Sequence, residues 1–320
     1  MSISRRDFCK IGLAAGVAAS GLMNPVLAKA GILSRKHHKA SGGIAKHVLI
    51  IAFDGIRTDG LETASTPNLD ALIRHGSASM TTRDVMPSIT LPNFTSILTG
   101  SGPEIHGVNT NKWKPDNYKL PAVETDEDGY FPSVFKVVKD QVPGIRTSFY
   151  WNWKPLIVPY NPKYFDDTLF AAKDQFEPLR ERTEAFLTEH RDEPTLTFLY
   201  TVHTDHAGHK YAWMSPQYIE AIEEGDAQVG LLFEFLKKEK LLDTTHIFFV
   251  TDHGGINYGH GGVSTEEMIV PWVIAGPGIK KGHTIKEANN TVNTASTVLR
   301  LFGAEQPLCW VGEVPESIFK

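Results

Sequence analysis

Phe248–Gly262 reads FFVTDHGGINYGHGG, and the fold turns on how this stretch is read. Ile247–Thr251 is a short apolar run of β-branched and aromatic residues, suited to a strand buried on both faces. It ends on Asp252-His253, and glycines follow at once. Adjacent side chains on a strand point to opposite faces. Aiming Asp252 and His253 at one centre therefore requires the chain to leave strand geometry there, which Gly254-Gly255 permit. With His260 returning inside the glycine-rich turn, the stretch offers three metal ligands of hard and borderline type. Taken alone it reads equally as a solvated strand-to-loop corner, with Asp and Gly as turn formers.

The same grammar recurs. His47–Phe53 (HVLIIAF) ends on Asp54-Gly55, and Thr195–Val202 (TLTFLYTV) runs into His203-Thr204-Asp205-His206-Ala207-Gly208-His209. If that last segment turns helically, Asp205 and His209 share a face and one ion could take both. His206 then points away, and His203 reads as strand-end packing. Thr66-Pro67 supplies an N-cap and a proline at the first helical position, Gly76 a stop, and Ser77–Thr82 a second strand. Strand, helix and strand at this spacing predict a parallel sheet with crossover helices. Further helices are expected over Ser133–Asp140, from Phe176 to His190, from Ser215-Pro216 to Lys240 and over Asn293–Phe302, with strands at Thr147–Trp151 and Val270–Ile274. The fold class is thus α/β, a doubly wound, mostly parallel central sheet with helices on both faces. In such a sheet the carboxyl ends of the strands share one edge, where ligands bind.

Within Val85–Gly107 (VMPSITLPNFTSILTGSGPEIHG), Pro92 can open a helix that Gly100 closes. Thr90 then precedes a helix N-terminus, where free N–H groups and the dipole favour an anion. A hydroxyl there serves either as a nucleophile for phosphoryl transfer or as a plain helix cap. The Trp151-Asn152-Trp153-Lys154 segment is read as packing in preference to stacking on a base or sugar.

Residues 1–30 stand apart. Ser4-Arg5-Arg6-Asp7-Phe8-Cys9-Lys10 is a twin-arginine pattern, a small-residue apolar stretch follows, and Ala28-Lys29-Ala30 fits a cleavage site. This predicts export by the twin-arginine machinery to the periplasm or the cell exterior. A membrane anchor competes, but Gly, Ala, Asn24 and Pro25 dilute the apolar stretch. Residues 31–46 are read as a flexible leader and 47–320 as one catalytic domain. Arg5, Arg6, Lys10 and Lys29 leave with the first segment against Asp7, moving the formal net charge from −5 to −8. An acidic protein of this kind has no general attraction for nucleic acid. Cys309 is then its only cysteine, which excludes an internal disulfide.

FDG at 53–55, TPNLDAL at 66–72, MPSITLPNFTSILTGSGPEIHG at 86–107, DHAGH at 205–209, TDHGG at 251–255 and GHGG at 259–262 together resemble the type I phosphodiesterase/nucleotide pyrophosphatase branch of the alkaline phosphatase superfamily. The resemblance runs in order over residues 47 to 312 and implies an alkaline phosphatase-like fold with two zinc ions. One ion would be held by Asp205, His209 and His260. The other would be held by Asp54, Asp252 and His253, with the Thr90 oxygen as its remaining ligand. Asn93 would hydrogen-bond a phosphoryl oxygen. Metals of this kind clamp the attacking and leaving oxygens of an in-line displacement and activate a threonine hydroxyl. The implied course is attack by Thr90, a phosphothreonine, and hydrolysis by zinc-bound hydroxide. Manganese, cobalt or iron also suit these ligands.

The chain departs from the family pattern in two places. Phe94-Thr95 follow Asn93 where a histidine is common, and His260 lies seven residues after His253, where eukaryotic members carry a long excursion. Thr90-Leu91-Pro92-Asn93 lacks the cysteine or serine and the arginine that a sulfatase needs. The expected activity is therefore a phosphodiesterase acting on a small phosphoester, with nucleotides among the candidates. The alternatives are a phosphomonoesterase or phosphonoacetate-type hydrolase, for which Lys154 would meet the extra substrate charge, and a non-catalytic ligand-binding homologue.

Overall fold

The computed structural model describes residues 43–320. The signal segment and most of the proposed leader lie outside them. In chain order the strands are β1 His47–Phe53, β2 Ser77–Arg83, β3 Arg146–Trp151, β4 Asp167–Phe170, β5 Thr195–Thr201, β6 Thr245–Thr251, β7 Ile269–Ala275 and β8 His283–Thr284. The helices are α1 Thr58–Thr63, α2 Pro67–His75, α3 Thr90–Thr99, α4 Pro103–His106, α5 Val134–Gln141, α6 Glu177–Glu189, α7 His203–Tyr211, α8 Pro216–Lys238, α9 Thr265–Met268 and α10 Asn293–Phe302. Among the described residues no helix is long and apolar enough to cross a membrane.

All eight strands form one sheet in the order β4-β3-β5-β1-β6-β7-β2-β8. The first five run parallel, β7 is antiparallel to both β6 and β2, and β8 is parallel to β2. The predicted β1–helix–β2 unit therefore does not put β2 beside β1, because β6 and β7 lie between them. At the centre the register is even. His47 pairs with Thr195 and Thr245, and Phe53 pairs with Thr201 and Thr251. The carboxyl ends of β1, β5 and β6 thus finish level, and the residues just past them emerge along one line.

Alternation on β1 shows how the two layers are built. Val48, Ile50 and Ala52 face a core shared with Phe94, Ile97 and Leu98 of α3, Val134 and Val138 of α5, and Val298 and Leu299 of α10. Leu49, Ile51 and Phe53 face the other core, with Leu69 of α2, Phe186 of α6, and Ile222, Val229 and Leu232 of α8. Every residue of β1 is fully buried, as a central parallel strand with helices on both faces requires. Trp151 sits in the first core and Trp153 packs against it, so this aromatic pair is packing. The residues just before β1 are also tied to the fold. The amides of Ile44 and Ala45 both donate to the Leu301 carbonyl at the end of α10, at 2.8 and 3.0 Å.

Helix starts follow the expected chemistry at some ends and tertiary chemistry at others. Ser215 caps α8 by accepting from the Tyr218 amide at 3.2 Å, and Ser133 caps α5 through the Lys136 amide. Thr66, in contrast, makes no side-chain cap to α2. The amides there are taken by Asp226 of α8, whose carboxylate accepts from Leu69 N at 2.7 Å and from Asn68 N at 3.3 Å, with Asn68 Nδ2 at 2.9 Å. Asp226 is 2% exposed, so the helix N-terminus and the buried anion satisfy each other. Asp226→Ala is expected to lower stability by about 2–3 kcal/mol, since it orphans the Asn68 and Leu69 amides, while the Asn68 side chain keeps its bond to the residue-226 carbonyl. The check is the midpoint of a denaturant titration, with the activity of the remaining folded protein unchanged.

Candidate metal centre and nucleophile

Asp54 follows β1, Asp205 and His209 lie on α7 just past β5, and Asp252-His253 follow β6. The level register carries all of them to one edge. The Asp54, Asp252 and His253 side chains are 0% exposed. His253 Nε2 lies 3.4 Å from Asp54 Oδ1, 3.1 Å from Asp252 Oδ2 and 3.4 Å from the Thr90 hydroxyl. Beside this group, Asp205 Oδ1 is 3.5 Å from His209 Nε2 and 3.6 Å from His260 Nε2, and the two Nε2 atoms are 3.2 Å apart. The His253 and His260 rings stack with centroids 3.7 Å apart and join the two groups. The second group is open to solvent, the His209 side chain being 43% exposed.

Each histidine is held in one tautomer. The Nδ1–H groups donate to main-chain carbonyls: His253 to Gly254 at 2.7 Å, His209 to Tyr258 at 2.9 Å and His260 to Ser88 at 2.9 Å. All three Nε2 lone pairs therefore point inward. Asp54 and Asp252 are fixed by their other oxygens, Asp54 Oδ2 accepting from the Tyr200 hydroxyl and Asp252 Oδ1 from Gly55 N at 3.1 Å. Asp54 Oδ1, Asp252 Oδ2 and Asp205 Oδ1 are buried without a hydrogen-bond partner. Burial pushes the Asp54 and Asp252 carboxyls well above the usual range; at Asp54 the neighbouring carboxylates of Asp252 and Asp205 add to the shift, as Asp205 does at Asp252. Burial, then the nearby His260, pushes His253 well below its ordinary value. Carboxylate oxygens and imidazole lone pairs that face one another with no proton donor between them suit a pair of divalent cations. Single ligand atoms of Asp54, Asp252 and His253 all lie within 4.8 Å of one another, as do those of Asp205, His253 and His260.

The glycines next to this cluster serve close approach. A Cβ on Gly254 would lie 2.0 Å from the Glu266 carbonyl, and one on Gly255 would lie 2.3 Å from the Trp213 ring. Backbone freedom, the reason read from the sequence, is secondary to that crowding.

Thr90 is 4% exposed and is the first residue of α3, two positions earlier than the proline-opened helix predicted. Asn93 is not among the groups at the centre. It is fully buried, its Oδ1 accepts from Val85 N at 2.8 Å, and its Nδ2 donates to the carbonyls of Val85, Pro87 and Ile89 at 3.1, 3.0 and 3.2 Å. Its amide is consumed in holding the 85–89 turn that delivers Thr90. Sequence reasoning passed over Asn111, whose Oδ1 accepts from Leu91 N at 2.8 Å, one residue beyond Thr90. Its only signal was that of one polar residue in a polar stretch. Lys154 is exposed at the head of the 3₁₀ turn Lys154–Ile157, which packs against α3, and no contact joins it to the ligand cluster. His206 points away and pairs with Asp174 at 2.8 Å, as expected, whereas His203, read as strand-end packing, opens α7 and pairs outward with Glu224 at 2.7 Å.

The sequence profile of the type I phosphodiesterase/nucleotide pyrophosphatase family matches residues 48–272. The chain belongs to this family. Among its relatives is an uncharacterised pyrophosphatase/phosphodiesterase of Schizosaccharomyces pombe, 30% identical over 65% of this chain and 44% of that protein. Ectonucleotide pyrophosphatase/phosphodiesterase family member 3 of Mus musculus is 28% identical over 65% of this chain and 24% of that protein. The chain thus spans less than half the length of these relatives. The fold is shared with an inactive variant of murine ectonucleotide pyrophosphatase/phosphodiesterase 5 solved in complex with AMP, with a TM-score of 0.73 and 17% identity over 88% of this chain and all of that one. Family membership brings metal dependence with it, and the two ligand groups are where this member can meet it.

Two outcomes follow from this geometry. Chelator treatment is expected to lower the melting temperature and readdition of a divalent metal to restore it, because the cations offset three buried carboxylates; an unchanged melting curve with metal verified as removed would contradict the assignment. Asn93→Ala is expected to cost about 1–3 kcal/mol in a denaturant titration, because it leaves the Val85 amide and carbonyl without their partner.

Proposed function

We propose that the chain is a phosphoric diester hydrolase that uses Thr90 as nucleophile and two zinc ions. The observation that carries this reading is the Thr90 hydroxyl, 3.4 Å from His253 Nε2 at the start of α3 and beside the Asp54/Asp252 carboxylates. Thr90 Oγ attacks phosphorus from that side while the bond to the alcohol on the far side, toward Asp205, His209 and His260, breaks. The departing alcohol takes a proton in exchange for the one lost by Thr90. Water then hydrolyses the phosphothreonine, so that diester plus water gives monoester plus alcohol. Zinc held by these two groups would supply Lewis-acid stabilisation of the attacking and leaving oxygens. Manganese, cobalt or iron are the substitutes the ligands allow.

The remaining phosphoryl charge falls to the α3 N-terminus and to Asn111. With its Oδ1 engaged by Leu91 N, the Asn111 carboxamide turns its Nδ2 donor away from that amide as a hydrogen bond for a phosphoryl oxygen, the role the sequence suggested for Asn93. A diester is proposed ahead of a dianionic monoester on the strength of the family; Lys154, the cation proposed for the extra charge, is exposed on the turn that packs against α3. A nucleotide suits the group retained on phosphorus, in keeping with the AMP bound by the murine relative. The twin-arginine pattern at residues 4–10 supports export to the periplasm or beyond the cell, with the site working outside the cytoplasm.

Thr90→Ala is expected to reduce turnover of bis-p-nitrophenyl phosphate by about 10³-fold or more with bound metal unchanged. Steady-state kinetics together with metal analysis on the same samples decide the matter, and retained turnover in that variant would remove Thr90 as nucleophile.

A further inference from the structure

The side of the centre toward which the alcohol would leave is built by two short loops stitched together. Ser88 Oγ donates to the Gly262 carbonyl at 2.7 Å, and His260 Nδ1 donates to the Ser88 carbonyl at 2.9 Å. Gly261, at φ +114°, lies close enough to Ile89 that a Cβ there would approach its side chain to 3.2 Å. The second loop also bears on His209 through the Tyr258 carbonyl and closes on itself through the Ile256 N–H to the Gly259 carbonyl at 2.8 Å. Backbone atoms of these loops thus orient the ligands His209 and His260.

Four large apolar side chains on these loops are exposed. Met86 is 47% exposed, Ile256 41%, Tyr258 64% and Val263 73%. Large apolar side chains left in water within two or three residues of ligand-holding atoms are more than scattered surface residues. The charges around them are unsuited to an anion. Glu267 accepts from Gly262 N and Ser264 N, and Glu266 lies next to it. Arg57 is engaged by Asp59 and the Gly255 carbonyl, and Lys210 lies over the Tyr211 ring at 4.7 Å.

We propose that Met86, Ile256, Tyr258 and Val263 form the leaving-group subsite, and that it selects phosphodiesters whose leaving alcohol is uncharged and apolar, an aryl or alkyl alcohol, over diesters that expel a phosphate. The proposal rests on the hydrolase reading above, since it needs in-line departure toward the open Asp205/His209/His260 side. The centre is most exposed there, with His209 43% exposed against 0% for Asp54 and His253. Met86, Ile256, Tyr258 and Val263 stand within three residues of Ser88, Tyr258 or His260 in the chain, and are the exposed apolar groups available to a leaving group on that side. The occupant is therefore the substrate's own alcohol.

A series of methyl 4-alkylphenyl phosphates tests this, because lengthening the para chain from methyl to butyl adds apolar area and hardly alters the acidity of the phenol. Wild-type kcat/KM is expected to rise about tenfold across the series, against a ceiling of roughly 60-fold for complete burial of three methylenes. It should also exceed that for P1,P2-dimethyl diphosphate, whose leaving group is charged. In the Ile256→Ser/Tyr258→Ser/Val263→Ser variant the butyl-to-methyl ratio should fall to about two. Single Val263→Ser and Met86→Ser variants, each at an exposed position, give smaller falls and guard against misfolding of the triple variant. A ratio that is flat in the wild type, or unchanged in the serine variants, would overturn the subsite, as would preference for the diphosphate. Metal-loaded enzyme that hydrolyses none of these esters would instead remove the hydrolase reading, and the subsite with it.

Discussion

Three main-chain carbonyls, those of Gly254, Tyr258 and Ser88, decide which nitrogen of each ligand histidine is free. The rest of the centre depends on this. An imidazole with its proton on Nδ1 can offer only Nε2, so the loops that supply the carbonyls also set where each lone pair points. Two of the three carbonyls belong to the glycine-rich stretch itself. The backbone of residues 254–262 is thus both connector and orienting frame, and the crowding around Gly254 and Gly255 leaves it little freedom to relax.

The sheet provides the other half of the arrangement. Because Phe53, Thr201 and Thr251 stand in register, the next residues of three strands leave the core side by side. That brings carboxylates together in a place where burial disfavours their charge. Such a gathering is costly without a cation and favourable with one. The cost falls unevenly. The Asp54/Asp252/His253 group is sealed, whereas the Asp205/His209/His260 group meets solvent through His209. The group beside the Thr90 hydroxyl is thus the enclosed one, and the other is the open one.

Much of this was legible because the strands announce their own ends. HVLIIAF-Asp, TLTFLYTV followed by the histidine-rich helix, and the run ending at Asp252 each pair a buried apolar segment with a ligand type that a core strand would otherwise exclude. Direction was not legible. The apolar segment of β7 reads identically whichever way it runs, and only its pairing with β6 and β2 shows it to be antiparallel. The edge strands β4 and β8 are too short to carry a pattern. Side-chain aim was hidden for a similar reason. Asn93 and Asn111 are equally plausible partners for a phosphate by residue type. What separates them is that the 85–89 turn claims the side chain of the first, through the Val85 amide and three carbonyls, and leaves the second. The N-cap of α2 stands at Thr66 as expected, but the group that takes its amides, Asp226, was hidden because it lies 160 positions away in the chain, on another helix.

The attachment of Ile44 and Ala45 to the Leu301 carbonyl bears on how the molecule can be tethered. These residues enter β1 at its amino end, while Asp54 leaves it at the other, and a seven-residue strand spans roughly 23 Å. Ile44 and Ala45, moored to α10, therefore stand at the end of the central strand opposite Asp54 and the ligand cluster. A linkage attached through these residues would leave the face that carries the cluster uncovered.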